Sequence, residues 1–306
     1  MKKISKNIAR QQDGNALVLV ALAMAAVLAL TGLVVDGGHL YWNKAHLQKA
    51  ANAAALSGAQ EIVNSQENID RVVTEILEAH EAEGSLLEAT VENERQLNVV
   101  LEKQVPVFFS SIFGVEHIPI KVKAKAGLSP MGEAVGAVPL GIDESVPLQY
   151  GETYQLKVDA GDSAAGNFGV LALEGPGAKS YGDSLMYGFD DLLQVGDIVN
   201  TQTGNIAGAT RSGINYRMDL CPNWEGGTEL RDCPRIMLVI VYKPYSQTTN
   251  QMKSVEITGF AYFYVTERMG NTDDSIKGIF IKRAGAGSEG QGNPPDRGAY
   301  AIKLTE

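Results

Sequence analysis

The sequence predicts an α+β chain. One apolar helix near the N-terminus continues into a small α/β module, and a mainly antiparallel β domain, barrel or sandwich, comes after it. Three observations carry this. Asn15 to Val35 contains no ionisable side chain. From Leu40 to Ala126 the apolar residues recur first at helical spacing and then in alternation. Beyond Ala137, short apolar runs are separated by Gly, Pro, Asn and Asp, in a chain holding 33 Gly among 306 residues.

Composition narrows the function. Hydrophobic residues make up 44% and charged residues 20%, enough apolar material for a real core. The net charge of -10 argues against nucleic-acid binding as the main task, because phosphate contacts need a basic surface. Two cysteines allow one bridge at most, and neither a disulfide scaffold nor a four-thiolate zinc site.

The first element is expected to be a membrane anchor. Lys2, Lys3, Lys6 and Arg10 precede the uncharged run 15–35. That run has about the ~20 residues a helix needs to cross ~30 Å of hydrocarbon. The competing readings are a buried core helix and a cleavable signal peptide. The run is longer than a usual signal core, and the residues after it still read as helix, which favours a retained single-pass anchor. The basic flank predicts a cytoplasmic N-terminus, with residues beyond Asp36 outside. Ala21, Ala25, Ala29 and Gly32 form a small-residue stripe that suits close helix pairing, or simply reflects the abundance of Ala in apolar helices.

Leu33, Leu40, Leu47 and Ala54 recur at sevenfold spacing across Asp36-Gly37-Gly38, so they share one face of a continuing helix. That face must pack against the chain's own domain or a partner helix. Asp36, Gly37 and Gly38 are expected as a hinge just above the lipid. Tyr41 and Trp42 fall where an aromatic belt belongs.

These residues also carry a family resemblance. The basic start, Gly14-Asn15-Ala16-Leu17-Val18, the apolar span, Val35-Asp36-Gly37-Gly38-His39-Leu40-Tyr41 and Leu47-Gln48-Lys49-Ala50-Ala51-Asn52-Ala53-Ala54-Ala55-Leu56-Ser57-Gly58-Ala59 stand in that order. The segment resembles the N-terminal region of Tad/Flp pilus-assembly proteins of the TadG/TadE type, over residues 13–60 and in outline to about residue 128. The resemblance implies a membrane-anchored, pilin-like component of an Flp-type pilus or secretion apparatus. Its partners would be pilus or Tad secretion-system proteins met through the N-terminal helix, and membrane lipid. In processed pilins of this class a cut comes after a glycine and the fifth mature residue is acidic. Gly14 fits the cut, but Leu19 stands in the fifth place, which favours an uncleaved, TadG-like member whose mature chain begins near Met1.

In the α/β module, Ile69, Val72, Val73, Ile76 and Leu77 mark one face of a helix from about Asn68 to Glu83, ended by Gly84-Ser85. Leu87 to Glu92 and Leu97 to Gln104 form a hairpin around Asn93-Glu94. Pro106 is expected to open a short helix with Phe108, Phe109, Ile112 and Phe113 inward. Ile118, Ile120, Val122, Ala124 and Ala126 then alternate with Lys121, Lys123 and Lys125 on the opposite, exposed face.

A linker is expected at 129–136. After it come candidate strands at Ala137–Ile142, Thr153–Asp159, Phe168–Leu173, Asp197–Thr201, Arg235–Tyr242, Val255–Thr266, Ile276–Lys282 and Tyr300–Leu304. Residues 255–266 have two partly apolar faces, which predicts a central strand. Gly166-Asn167-Phe168-Gly169, Val195-Gly196-Asp197 and Thr203-Gly204-Asn205 resemble the ectodomain of longer TadG-like proteins in outline only. Cys221 and Cys233 flank the turn-rich Pro222–Gly227 and are expected to pair outside the cell. The organisation expected is therefore 1–14 basic segment, 15–35 span, 36–128 module, 129–136 linker and 137–306 β domain.

Catalytic signals are weak. Gly285-Ala286-Gly287-Ser288-Glu289-Gly290 has the letters of a dinucleotide fingerprint, but no helix is expected after it. Asp183, Asp190, Asp191 and Asp197 match no calcium-loop spacing and read as solvated turn acids. No enzyme activity, cofactor or metal is expected. The function expected is a structural or assembly role in such an apparatus, with a tethered surface binding module (adhesin or receptor) as the alternative.

Overall fold

The computed structural model describes residues 13–157, 168–202, 206–221, 232–248, 251–271, 275–291 and 293–305. The basic start at 2–10, the turns at 166–167 and 203–205 and the Pro222–Gly227 excursion lie outside the described residues.

Helix α1 runs from Asp13 to Ala59 without interruption. Its two halves live in different surroundings. Leu17 to Val35 carry exposed apolar side chains, whereas Leu47, Ala50, Ala51, Ala54, Ala55 and Ala59 are buried. Small side chains let the upper half lie close on its neighbours. A Cβ added at Gly58 would stand 2.5 Å from Leu97 and 2.8 Å from Val73. Helix α2 (Gln66–Ala79) starts at Ser65, whose hydroxyl accepts the Asn68 N–H at 3.2 Å; it buries Val72, and packs Ile69, Val73 and Leu77 into one cluster with α1. It ends earlier than expected, because Glu81 takes the left-handed conformation and the Ala82 N–H donates back to the Leu77 carbonyl.

Strands β1 (Leu86–Glu92) and β2 (Gln96–Pro106) form the expected hairpin, with Asn93 and Glu94 both left-handed. Strand β3 (His117–Pro130) pairs with β2 along its length and buries Ile120, Val122, Ala124 and Ala126 under α1. Lys125 on its other face meets Glu92 at 2.6 Å. One expectation here is corrected. Pro106 closes β2 opposite His117 and opens no helix. A single 3-10 turn comes after it at Ser110–Phe113; Phe108, Ile112 and Phe113 face outward, and Phe109 lies against Gly32 of α1.

The remaining elements are β4 (Glu133–Ala134), β5 (Ala137–Asp143), β6 (Thr153–Lys157), β7 (Phe168–Ala172), α3 (Ala178–Tyr187), β8 (Leu193–Gln194), β9 (Ile198–Thr201), α4 (Ala207–Leu220), β10 (Ile236–Thr248), β11 (Gln251–Val265), β12 (Ser275–Ile281), β13 (Arg283–Ala284), β14 (Gly287–Ser288) and β15 (Ala299–Leu304). Each of the eight candidate strands has its counterpart. Strands β10-β5-β7-β9-β11 pair in that order, and β11 pairs back onto β10, which closes a five-stranded barrel. Pairing is antiparallel except between β5 and β10.

All five strands feed one apolar cluster, through Ala137, Leu171, Val199, Ile240, Tyr242, Val255 and Phe260 among others. The outer faces of β5, β10 and β11 pack on Tyr181 and Leu185 of α3 and Ile214 of α4. Strand β11 is central, as its two apolar faces required. It meets β10 on one edge, and β9 and then β12 on the other. Strand β12 carries β6. A register shift opposite Val241 and Tyr242 moves Ile257 from the face of Ala261 to that of Phe260.

The two halves share a sheet. Its order is β1-β2-β3-β15-β13, so the last strand returns to the first module and pairs with the 126–130 end of β3. Residues 129–130 finish β3 and 133–134 form β4, so half of the stretch expected as a linker is strand.

Candidate functional site

The best-defined polar constellation sits where the apolar part of α1 ends. Asp36 is almost fully buried, and its carboxylate is shared among three consecutive backbone donors. It accepts the N–H groups of Phe108 at 2.9 Å, Phe109 at 3.1 Å and Ser110 at 2.8 Å, and the Ser110 hydroxyl at 2.8 Å. Burial alone would raise its pKa. The donors from Ser110, Phe108 and Phe109 outweigh this and hold the carboxyl at about 2, so it stays ionised. Around it, the Phe108 ring meets His39 edge-on at 5.4 Å, and Trp42 stacks on His46 at 5.6 Å. The His46 Nε2 lies 3.0 Å from the His80 carbonyl. One turn below Asp36, Phe109 lies against Gly32, where an added Cβ would stand 2.6 Å from the ring.

The expected site residues part company in the structure. Asp36 fastens α1 to the 108–110 backbone. Gly37 and Gly38 lie inside the continuous helix, with open space where a Cβ would project. Leu47 and Ala54 are covered by the chain's own module, Leu40 packs partly against it, and Leu33 is exposed. Cys221 and Cys233 form a disulfide with a Cα separation of 5.7 Å, beside the barrel core. Beside it, the buried Arg217 donates to the Leu185 and Pro234 carbonyls and ties α4 to α3 and to the start of β10.

Other sequence features resolve locally. The Gly285–Gly290 run forms β14 against β4, with no helix after it. Asp197 accepts the Gln194 N–H at 2.8 Å within its own turn. Among the described residues, no group of three or more His, Cys, Asp and Glu side chains gathers as a metal site would. An open cleft of about 610 Å³ lies between the end of α1, at Gln60, Glu61 and Asn64, and the barrel at Ile236, Tyr262 and Lys282.

The clasp between Asp36 and 108–110 was not foreseen. A signal for it exists: Val105 to Val115 is an uncharged run holding three Phe and one Ile between two strands.

α1 is one helix long and apolar enough to cross a membrane. No curated protein and no solved structure matches the chain. Residues 14–61, which span α1 and the Asp36 end of the clasp, match the family described as putative Flp pilus-assembly TadE/G-like, and the chain therefore carries a Tad domain there.

Proposed function

We propose that the chain is a membrane-anchored structural or assembly component of a Tad/Flp-type pilus or surface secretion apparatus, and that it is not an enzyme. The observation that carries this reading is the coincidence of the Tad domain with α1. The same unbroken helix is exposed and apolar below Asp36 and is the core of a folded module above it. Movement of the anchor is then passed to the module as a rigid body. The basic residues Lys2, Lys3, Lys6 and Arg10 before the span favour a cytoplasmic N-terminus and an extracytoplasmic remainder.

Pilus or secretion partners would meet the lower part of α1, since Leu47 and Ala54 are occupied internally. Leu33 and the Ala21, Ala25, Ala29 stripe remain open for a partner helix. In the domain organisation we propose, 1–14 is a basic segment, 15–35 the span, 36–128 the module and 137–306 the barrel region, with β15 lent back to the module.

One observation favours a second reading, a tethered binding module. The barrel has its own core, and the cleft beside it is open. Labelling on intact cells and on sheared filaments separates the two. Recovery with filaments, or confined to their bases, supports the structural role. An even surface distribution unrelated to filaments supports the binding module.

A further inference from the structure

We propose that the Val107–Val115 turn is a second membrane contact, seated beside α1 in the leaflet on the ectodomain side at the boundary between headgroups and acyl chains. This rests on the reading of α1 as a membrane span.

The first support is composition and exposure. Val105 to Val115 contains no ionisable side chain. Ile112 is 77% and Phe113 85% exposed, and Phe108 is exposed as well. So large an apolar cluster at the tip of one turn is costly in water and marks a contact surface.

The second is height. Phe109 packs on Gly32, and Asp36 holds the 108–110 backbone. Gly32 lies three residues below Val35, the end of the uncharged run, which is about 4.5 Å along a helix axis. The turn is therefore level with the last turn of the span, where Leu33, Val34 and Val35 are also exposed. The first charged residues on either side are Lys103 and Glu116, on the strands that lead away.

The third is the fate of the backbone polar groups. An ordinary surface turn leaves its N–H groups to water. Here the N–H groups of Phe108, Phe109 and Ser110 go to Asp36. Those of Val107, Ile112, Gly114 and Val115 go to the carbonyls of Glu116, Phe109, Ser111 and Ser110, so seven of the nine N–H groups from 107 to 115 are satisfied within the chain. The Ser111 hydroxyl donates to the Phe108 carbonyl and the Ser110 hydroxyl to Asp36. Non-helical backbone is tolerated at the edge of hydrocarbon only when its polar groups are satisfied internally. A partner protein would impose no such demand, since it can supply its own donors and acceptors. Together with the level of the turn beside the span, this points to lipid as the occupant.

The test uses the full chain in nanodiscs of phosphatidylcholine and phosphatidylglycerol. Both native cysteines are in the bridge, so single cysteines can be spin-labelled at Leu28→Cys, Ile112→Cys, Phe113→Cys and Glu152→Cys. Accessibility to oxygen and to a polar nickel chelate is then compared. The proposal expects labels at 112 and 113 to be rich in oxygen and poor in nickel collisions, in the sense shown at 28. The label at 152 should show the opposite, aqueous behaviour. Aqueous values at 112 and 113 with a lipid-like value at 28 would overturn the proposal and leave the anchor standing. Aqueous values at 28 as well would overturn both. Low access to both reagents at 113 would mean a protein neighbour, such as a second copy, and would also overturn it.

Discussion

Asp36 and Ser110 are joined twice: the carboxylate accepts both the backbone N–H and the hydroxyl of Ser110, each at 2.8 Å. They are 74 positions apart in sequence, so this contact ties the end of the apolar helix segment to the turn that joins β2 to β3. Asp36, expected with Gly37 and Gly38 as a hinge, here accepts three backbone N–H groups of that turn.

The clasp has a direct consequence in hydrogen exchange. Asp36→Ala removes both acceptor oxygens from the three backbone donors. The amides of Phe108, Phe109 and Ser110 should exchange at least roughly tenfold faster, as expected when buried donors lose their acceptor. Amides of β10 and β11, in the barrel, should be unchanged. Equal protection of 108–110 in both proteins would mean that the carboxylate does not hold the turn.

Leu47 belongs to the module core. Leu47→Ala should destabilise the module by about 2–5 kcal/mol, the usual range for a buried leucine. Leu47→Glu should prevent its folding by burying an unpaired charge. Urea denaturation of the detergent-solubilised chain, monitored through proteolysis of 60–128, checks both. A Leu47→Glu protein with a fully protected module would show that the helix face is free for another helix.

Strand β15 should act as the clamp between the two halves. Tyr300 is buried against Leu128, its hydroxyl donates to Asp296, and Asp296 pairs with Arg95 at 2.8 Å. Deleting 299–306 should uncover the edge of β3 and speed amide exchange at Gly127 and Ser129, which face β15, while the Leu128 N–H, donated to the Arg95 carbonyl, and β11 keep their protection. Unaltered exchange at Gly127 and Ser129 would mean that the last strand adds nothing to the first module.

The disulfide has a chemical readout. Trypsin cuts after Arg231 and Arg235, which leaves Cys233 in a four-residue peptide. Without reductant that peptide should remain joined to the one containing Cys221, and reductant should release it. Two separate peptides from thiol-blocked, non-reduced protein would contradict the bridge. Replacing both cysteines by Ser should cost about 2–4 kcal/mol of stability.

Legibility in the sequence tracks the range of the forces involved. The strands were legible because alternation and turn residues are local signals. The two apolar faces of 255–266 announced a central strand before any partner was known. Helices α3 and α4 were not legible. Their segments, AKSYGDSLMY and AGATRSGINYRMDL, are rich in Gly, Ser, Asp and Asn, which read as loop. Packing of Tyr181, Leu185 and Ile214 on the barrel makes them helical. Phe108 and Phe113 face outward, against the rule that apolar side chains seek the interior, because this turn lies beside a helix that is itself apolar and exposed. Ring closure of the barrel and the return of β15 to β3 join residues far apart in sequence, and no local pattern encodes them.

The structural or assembly role is tested most directly by deleting the gene in the source cells and counting surface filaments by electron microscopy, with complementation by the native chain. The account predicts that filaments are lost or severely reduced, and that the native chain restores them. Leu33→Arg, which places a charge on the open part of α1, should restore them poorly even when the protein reaches the membrane in normal amount. Normal filament number and length in the deletion strain would contradict the role and leave a tethered binding module in its place.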